Sequence, residues 1–557
     1  MQTPVGGSTV AYTYDNNGNK LSEISAAGSF HYAYDARGRL TNETDVLGEA
    51  KYTTLYSYDN NGNVLSVTYP DGFVLSYAYD AMNRVAKLGT YAAFTYNPDD
   101  SMKTISYQNG VSTTYTYDSR ARATRILASS GTTHLMDHNH SYDGVGNVLK
   151  IDTETYSYDW LDRLTDSTGP WRSTSYAYDP AGNMVNRTVN SVTTAYTYGS
   201  YNRLTKAGNA TFSYNANGDT IKIVNGSTTW QYGYDYVDRL LNVTKNLQPV
   251  QTNAYSGNGN RVEQTHGSST VVYAYEGLQS IFEKNLTSGV VTDRFYANGL
   301  QLAKVVAGTT AYYLIDDALG STRLVTTLNA ASVFSSNYQP YGMSYGQSGS
   351  EEFMYTGKTM DAITGLYYFG ARFYDDAVGR FITEDSSTGS QGDPLSLNRY
   401  IYARDNPMAI TDQTGHDWWS SLTSAVSNTF AAVASTVSTV TTDVTNAWNS
   451  APPAVQLGIV VAVSAVVVGL TLGTAVPEVA AADLGAIGAI DAGEAAAAAG
   501  TVAAAADPVV EDGVVPALED AGTQAMTNIA KFSSRLIGDS TETDIQDALA
   551  NEGTQTE

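Results

Sequence analysis

Few residues in this chain could do chemistry, and they are unevenly placed. His134, Asp137, His138 and His140 form its one histidine cluster, a donor set of imidazole and carboxylate that suits a transition metal. The cluster falls in a long gap between two tyrosine-rich repeats, so its position predicts a solvated inter-hairpin loop rather than a metal centre. Asp15-x-Asn17-x-Asn19 and Asp59-x-Asn61-x-Asn63 imitate the first half of a calcium loop. Gly18 and Gly62 stand two positions early, however, and no Glu follows at the twelfth place, so these read as turns. There is no cysteine, which excludes a thiolate zinc site, an iron–sulfur cluster, a Cys nucleophile and any disulfide. A Gly-rich phosphate loop, a Ser-His-Asp order and a zincin helix motif are absent as well, and the expectation is no metal and no cofactor.

What must position any active group is a repeat. The 557 residues hold 42 tyrosines and 49 glycines, and self-similarity explains the bias. Tyr12-Thr13-Tyr14-Asp15-Asn16-Asn17-Gly18-Asn19, Tyr32-Ala33-Tyr34-Asp35-Ala36-Arg37-Gly38-Arg39 and Tyr56-Ser57-Tyr58-Asp59-Asn60-Asn61-Gly62-Asn63 are copies of one unit. Fourteen such phases run from Tyr14 to Tyr275 with a mean step of about 20 residues. In Tyr-x-Tyr both rings leave the same face of a strand. The Asp-x-x-Gly that follows has turn chemistry, with Asp accepting a local N–H and Gly tolerating a left-handed exit. A second strand then begins, often at Leu, as at Leu21, Leu40, Leu164, Leu204 and Leu240. Each unit is a β-hairpin that cannot form a core alone, so stacking on its neighbours is required.

These residues carry a family resemblance. The Tyr-Asp hairpin array resembles the YD repeats of bacterial Rhs proteins, wall-associated polymorphic toxins, the C component of insecticidal toxin complexes and the teneurins. Residues 312–416 are similar to the Rhs-associated core that ends such arrays. The matching blocks include Tyr313 to Val325, Tyr338-Gln339-Pro340-Tyr341-Gly342, Gly365 to Asp375, Gly379-Arg380-Phe381-Ile382 and Asp405-Asn406-Pro407. The resemblance implies a mainly β fold in which a spiralling strip of hairpins forms a hollow shell, closed at one end by the core. Residues 1–305 would be the repeat array, 306–416 the core and 417–557 a variable C-terminal region. It also implies that the shell encapsulates and delivers the chain that follows the core, usually a toxin.

The same resemblance supplies a chemical hypothesis. Rhs cores commonly end in two Asp-Pro-x-Gly blocks that act as an intramolecular aspartyl protease, cutting after the residue that follows the second block. The corresponding stretches are Asp385-Ser386-Ser387-Thr388-Gly389 and Asp412-Gln413-Thr414-Gly415-His416. Both prolines are missing, the first block is one residue longer, and His416 stands where the family has Leu. Two carboxylates brought together can share one proton, one acting as base toward water and the other as acid toward the amide. Arg380 is the expected brace or ionisation partner, with self-cleavage near Gly415 and His416. The plain alternative is a pair of turn aspartates.

Composition bounds the partners. Thirty-one Lys and Arg against 56 Asp and Glu give a net charge of −25, which excludes a nucleic-acid binder acting through a basic surface. Residues 417–557 carry 17 acidic and 2 basic residues and no histidine, poor material for a nuclease. That region is expected to be mostly α-helical, with an acidic tail and a 23-residue apolar run at 454–476 long enough for membrane contact. The N-terminus lacks the basic-then-apolar pattern of a signal peptide, so a secreted or cell-surface location would need another export route. Expected partners are the chain's own C-terminal segment, an immunity protein and a secretion-system component. A non-catalytic adhesin binding a neutral glycan through exposed tyrosines is the competing reading.

Overall fold

Each repeat becomes a hairpin because its Asp organises the turn and the side chain four residues later locks it. Asp35 Oδ1 accepts the N–H groups of Arg37 at 2.9 Å and Arg39 at 3.0 Å, while Arg39 Nε donates to Asp35 Oδ2 at 2.7 Å. The Asp and Arg pairing recurs at Asp80 and Arg84, Asp118 and Arg122, Asp159 and Arg163, and Asp235 and Arg239. At Asp15, Asp59, Asp143 and Asp179 an Asn amide takes the place of the guanidinium. The carboxylates of both calcium-like stretches are thus occupied by their own turns.

The locking arginine also reaches forward. Arg39, Arg122 and Arg163 each donate through Nη1 to the carbonyl of the next unit's Asp at 2.8 Å. Their guanidinium groups lie 4.6, 4.7 and 4.9 Å from the ring centres of Tyr58, Tyr142 and Tyr178. Those tyrosines close the link in the other direction. Tyr58 O–H donates to Leu40 O at 2.7 Å, Tyr142 to Ala123 O at 2.7 Å and Tyr178 to Leu164 O at 2.7 Å. Equivalent bonds run from Tyr34, Tyr79, Tyr117, Tyr198, Tyr234, Tyr255 and Tyr275 to the first strand residues of the preceding unit. The register slips by one residue just before the clamping tyrosine, for example between Ser57 and Tyr58 and between Thr116 and Tyr117.

The structure is a computed structural model that describes residues 10–389 and 393–416, all within the unit Met1–Leu422. Thirty-four strands form one sheet, from Ala11–Tyr14 to Ser344–Ser348, and the pairings along it are antiparallel between strands consecutive in sequence. The strip coils back on itself. Tyr69 O–H donates to Arg294 O at 2.9 Å, Asn109 Nδ2 to Thr327 O at 2.9 Å, and Phe73 stacks on Phe295 with ring centres 5.2 Å apart. Partners more than 200 residues apart in sequence therefore share one wall, and the result is the expected β-hairpin shell.

The terminal core docks on the strip. Short strands Thr359–Met360, Tyr367–Tyr368, Phe373–Asp375 and Arg380–Phe381 form a small sheet. Tyr355, Tyr367, Phe369, Tyr374, Phe381 and Tyr402 bury their rings together behind it. Asn406 Nδ2 donates to Asn147 Oδ1 at 2.7 Å, Tyr400 O–H to Gly218 O at 2.7 Å, and the Tyr178 and Tyr341 hydroxyls meet at 2.7 Å.

One expectation is corrected. The histidine cluster is not in a loop: it lies on the ten-residue strand Thr133–Tyr142, paired with Ala123–Ser130. Arg125 grips both oxygens of Asp137 at 2.7 Å, and His138 Nδ1 sits 3.0 Å from Asp152 Oδ2. The long gap between tyrosines is a longer hairpin, held by this cross-strand ion pair. Among the described residues no group of three or more His, Asp or Glu side chains is arranged to hold a metal, and no helix is long and apolar enough to cross a membrane. Residues 417–557, expected to be mostly helical, and the apolar run 454–476 within them lie outside the described residues.

Two measurements test this wall. Tyr255 is buried and its hydroxyl donates to Leu240 O at 2.9 Å. Tyr255→Phe removes one of that carbonyl's two donors, Asn253 Nδ2 at 2.9 Å being the other, and should cost about 0.5–1.5 kcal/mol in denaturant unfolding, whereas Tyr14→Phe at the exposed first strand should cost almost nothing. The second test is pH. Burial pushes the Asp45 and Asp293 carboxyls up to about 8, with Glu43 and Asp71 nearby adding to the shift, and pushes Glu43 up to about 7. Neither oxygen of Asp293 has a hydrogen-bond partner among the described residues. Folded carboxyls that hold their protons more tightly than unfolded ones, near 3.9 for Asp, stabilise fully below the unfolded value, and that stability is lost as pH rises through the folded value. The melting temperature should therefore fall between about pH 5 and about pH 8.5, and Asp293→Asn should flatten the slope and melt higher at the alkaline end.

Candidate functional site

Both aspartates of the two candidate blocks lie in the core, on segments tied to the short sheet and to the strip. Asp385 N–H donates to Arg399 O at 2.9 Å, and Arg399 Nε donates to Asp385 O at 2.6 Å. Arg399 also holds Glu384 at 2.6 Å, and Glu384 accepts from Arg203 of the strip at 3.0 Å. Asp412 builds its own turn, accepting the N–H groups of Thr414 at 3.2 Å and Gly415 at 2.8 Å on Oδ1. Ala371 N–H donates to Thr414 O at 3.1 Å, which lays this turn against residues 369–372.

Glycine is required in both blocks. Gly415 has φ +77°, and a Cβ there would come within 3.0 Å of Arg372 N and Phe369 O. Gly389 has φ +71°, with Ser396 O 2.3 Å from where a Cβ would sit.

The two carboxylates converge on one nitrogen. Arg372 Nη2 lies 2.8 Å from Asp385 Oδ2 and 3.0 Å from Asp412 Oδ2. Arg372 Nη1 donates to Arg399 O at 3.0 Å, and its Nε donates to Gly415 O. The guanidinium carbon sits 3.7 Å from the Phe381 ring centre. Burial pushes the Arg372 guanidinium down from its ordinary value, and Asp385 and Asp412 oppose that shift. Such a buried cation is tenable only with its anions beside it. Both aspartates are themselves buried, 8% and 2% exposed, so the three charges depend on one another.

Arg380 does not take part. It too is buried, but its Nη1 donates to Asn183 Oδ1 at 3.0 Å and its Nη2 to Asn202 O at 3.0 Å and Asn398 Oδ1 at 3.2 Å. Its ring contacts are Tyr198 and Tyr400. Arg380 joins core to strip, copying the Arg and Tyr contact of the repeats, and the guanidinium between the carboxylates is Arg372. Sequence reading missed Arg372 although it lies inside the block Gly365 to Asp375. An arginine surrounded by Phe369, Phe373 and Tyr374 is a signal for a buried cation needing carboxylates.

Two further groups border the site. Lys358 Nζ donates to Gln413 O at 2.6 Å, and burial pushes its ammonium down to about 8 against the pull of Asp412. His416 Nδ1 stands 3.3 Å from Asp385 Oδ1 and 3.3 Å from Ser386 Oγ. A small cleft opens among Arg372, Asp385, Arg399, Asp412 and His416. Chemically this is a carboxylate pair with a central cation beside a polar cleft, suited to activating water at a nearby carbonyl.

Known proteins share this architecture. A family model described as Teneurin YD-shell matches residues 149–408, and one described as RHS Repeat matches residues 34–74 and 58–93. The tRNA nuclease WapA of Bacillus subtilis strain 168 is 27% identical over 257 residues, 44% of this chain and 11% of that protein. Toxin subunit YenC1 of Yersinia entomophaga is 31% identical over 117 residues, 20% of this chain and 12% of its own. This chain thus spans about a tenth of the length of either relative. The solved structure of TcdB2-TccC3 superposes with a TM-score of 0.64 at 20% identity, covering 73% of this chain and 26% of that one, a likeness of fold. Repeat unit, coil and terminal core all agree with these matches, and the chain belongs to the Rhs/YD-repeat family.

Proposed function

We propose that this chain is a toxin carrier, a shell that encloses the segment following its core and frees it by one intramolecular cut on the C-terminal side of His416. The observation that carries the reading is the meeting of Asp385 and Asp412 on a single nitrogen of Arg372, with only residues 413–416 between Asp412 and residues 417–557. Asp412 serves as base toward water and Asp385 as acid toward the leaving amide. Arg372 is a positioning residue, holding both carboxylates and the Gly415 carbonyl so that the turn leading to the bond cannot drift. Relatives named as a nuclease and a toxin subunit support a toxic cargo, and toxins of this kind call for an immunity protein and an export partner. The carrier is accordingly assigned to the secreted or cell-surface proteins.

Intact mass and a denaturing gel of the purified chain test this. Wild type should yield a fragment ending at His416 and a second beginning at Asp417 that co-elute on native size exclusion. Asp385→Asn, Asp412→Asn and Arg372→Ala should remain uncut or slow by about 100-fold or more, the scale of a lost general acid or base. Arg380→Ala should lower the melting temperature with the cut retained. A wild-type chain that stays whole removes the protease, and the shell then stands as an adhesive or tethered structure.

A further inference from the structure

His416 is the one imidazole at this site, and its place is unusual: the residue whose carbonyl belongs to the bond to be cut also touches the catalytic acid. Nδ1 lies 3.3 Å from Asp385 Oδ1, the oxygen that Arg372 leaves free, since Arg372 binds Oδ2. The only other donor on Oδ1 among the described residues is the N–H of Ser387 at 2.9 Å. Asp412 differs, with two backbone N–H groups on Oδ1 and the guanidinium on Oδ2. The ring is 45% exposed, so it can exchange protons with water, while Asp385 is buried.

We propose that His416 is the positioning residue that supplies and holds the proton of the carboxylate pair, so that self-cleavage proceeds only while the His416 and Asp385 pair carries that proton. This rests on the self-cleavage reading above. With the proton on Nδ1 the imidazolium donates to the Asp385 carboxylate, and with it on Asp385 Oδ1 the acid donates to neutral Nδ1. Either way one proton is present at the acid. In the cut, water attacks the His416 carbonyl carbon and gives a proton to Asp412. The carbon–nitrogen bond to Asp417 breaks, and the departing nitrogen takes the proton held by Asp385. The products are a carboxyl group on His416 and an amine on Asp417, with no other reactant consumed.

The charged groups around the pair are Arg372 and Asp412 in contact with the dyad, Arg399 on the Asp385 carbonyl, Glu384 on Arg399, and Lys358 on the Gln413 carbonyl. Imidazole is the side chain that changes charge between about pH 5 and 8. Loss of the shared proton leaves two carboxylates and no acid. Cleavage should therefore be fast at the acidic end of that range and fall away as pH rises.

The test uses the full 557-residue chain. It is pulse-labelled by cell-free synthesis at about pH 8.5, where it should accumulate whole, and then shifted to buffers between about pH 5 and 8.5, the range over which imidazole titrates. Gel half-times are compared for wild type, His416→Leu and His416→Gln, with melting curves to confirm folding and Asp385→Asn as the uncut control. Wild type should be released by acidification. Both His416 variants should lose cleavage at least about one pH unit lower and cut about tenfold more slowly near neutrality, within the range of a lost proton donor. A falling limb that is unmoved in His416→Leu, or complete cutting of wild type at about pH 8.5, overturns the proton-holding role while leaving self-cleavage intact. Wild type uncut at every pH overturns the self-cleavage reading and this inference with it.

Discussion

The structure depends on one small clamp, repeated along the strip: a tyrosine hydroxyl donating to the backbone carbonyl that opens the preceding unit's second strand. Tyr58 to Leu40, Tyr178 to Leu164 and Tyr255 to Leu240 are instances at 2.7, 2.7 and 2.9 Å. A two-stranded hairpin has no core of its own, and the carbonyl at the slip in register needs a donor from outside the ladder, which at Leu240 is shared between Tyr255 and Asn253 Nδ2. The tyrosine satisfies it while its ring covers the neighbour's turn. The Asp and Arg pair of the previous turn then holds that ring from the far side. Aspartate, the residue at +4 and tyrosine are thus one device, and substituting any member loosens two units at once.

Coiling creates a second demand. When the strip returns after more than 200 residues, polar groups on facing strands are buried between turns of the coil, and not all find partners. Arg294 is met by Glu283 at 2.5 Å and Glu352 at 2.9 Å, and Arg261 by Asp361 at 2.9 Å. Asp45 and Asp293 have no such cation among the described residues, and burial pushes both carboxyls up to about 8. The wall therefore contains both arginines that are ion-paired and carboxyls that are compatible with burial only when neutral. That mixture makes its stability depend on pH.

Much of this was legible in the sequence because it is local. Tyr-x-Tyr on one face, Asp-x-x-Gly as a turn and Leu opening the next strand follow from spacing alone, and repetition made each reading stronger. The residue at +4 was equally visible, alternating between Arg and Asn, yet its meaning lay in a contact to the next unit rather than in its own turn. The histidine segment misled for a related reason. Its length departed from the mean step, and what holds Thr133–Tyr142 extended is the pair of Arg125 and Asp137 across the ladder. Between Arg372 and Arg380 there was no basis for choice from spacing. Both sit in aromatic blocks beside the first Asp, and only the fold shows that one faces the strip's Asn183 and the other the second carboxylate.

The pair of carboxylates is therefore anchored to the coil as well as held by its own two loops. Asp385 is placed by Arg399 and follows Glu384, which is held by Arg203, and the preceding Ile382 accepts from Thr220 N–H at 2.9 Å. Asp412 lies a few residues beyond Asn406, which is fixed to Asn147 across 259 positions of sequence. Contacts of such separation form late, since closing a long loop costs entropy before any contact rewards it. Until they form, the two carboxylates and Arg372 are held only by contacts within the core, such as Ala371 N–H to Thr414 O at 3.1 Å and Arg372 Nη1 to Arg399 O at 3.0 Å. An assembled site of this kind reports that the core has docked on the strip, which ties whatever chemistry it performs to that docking.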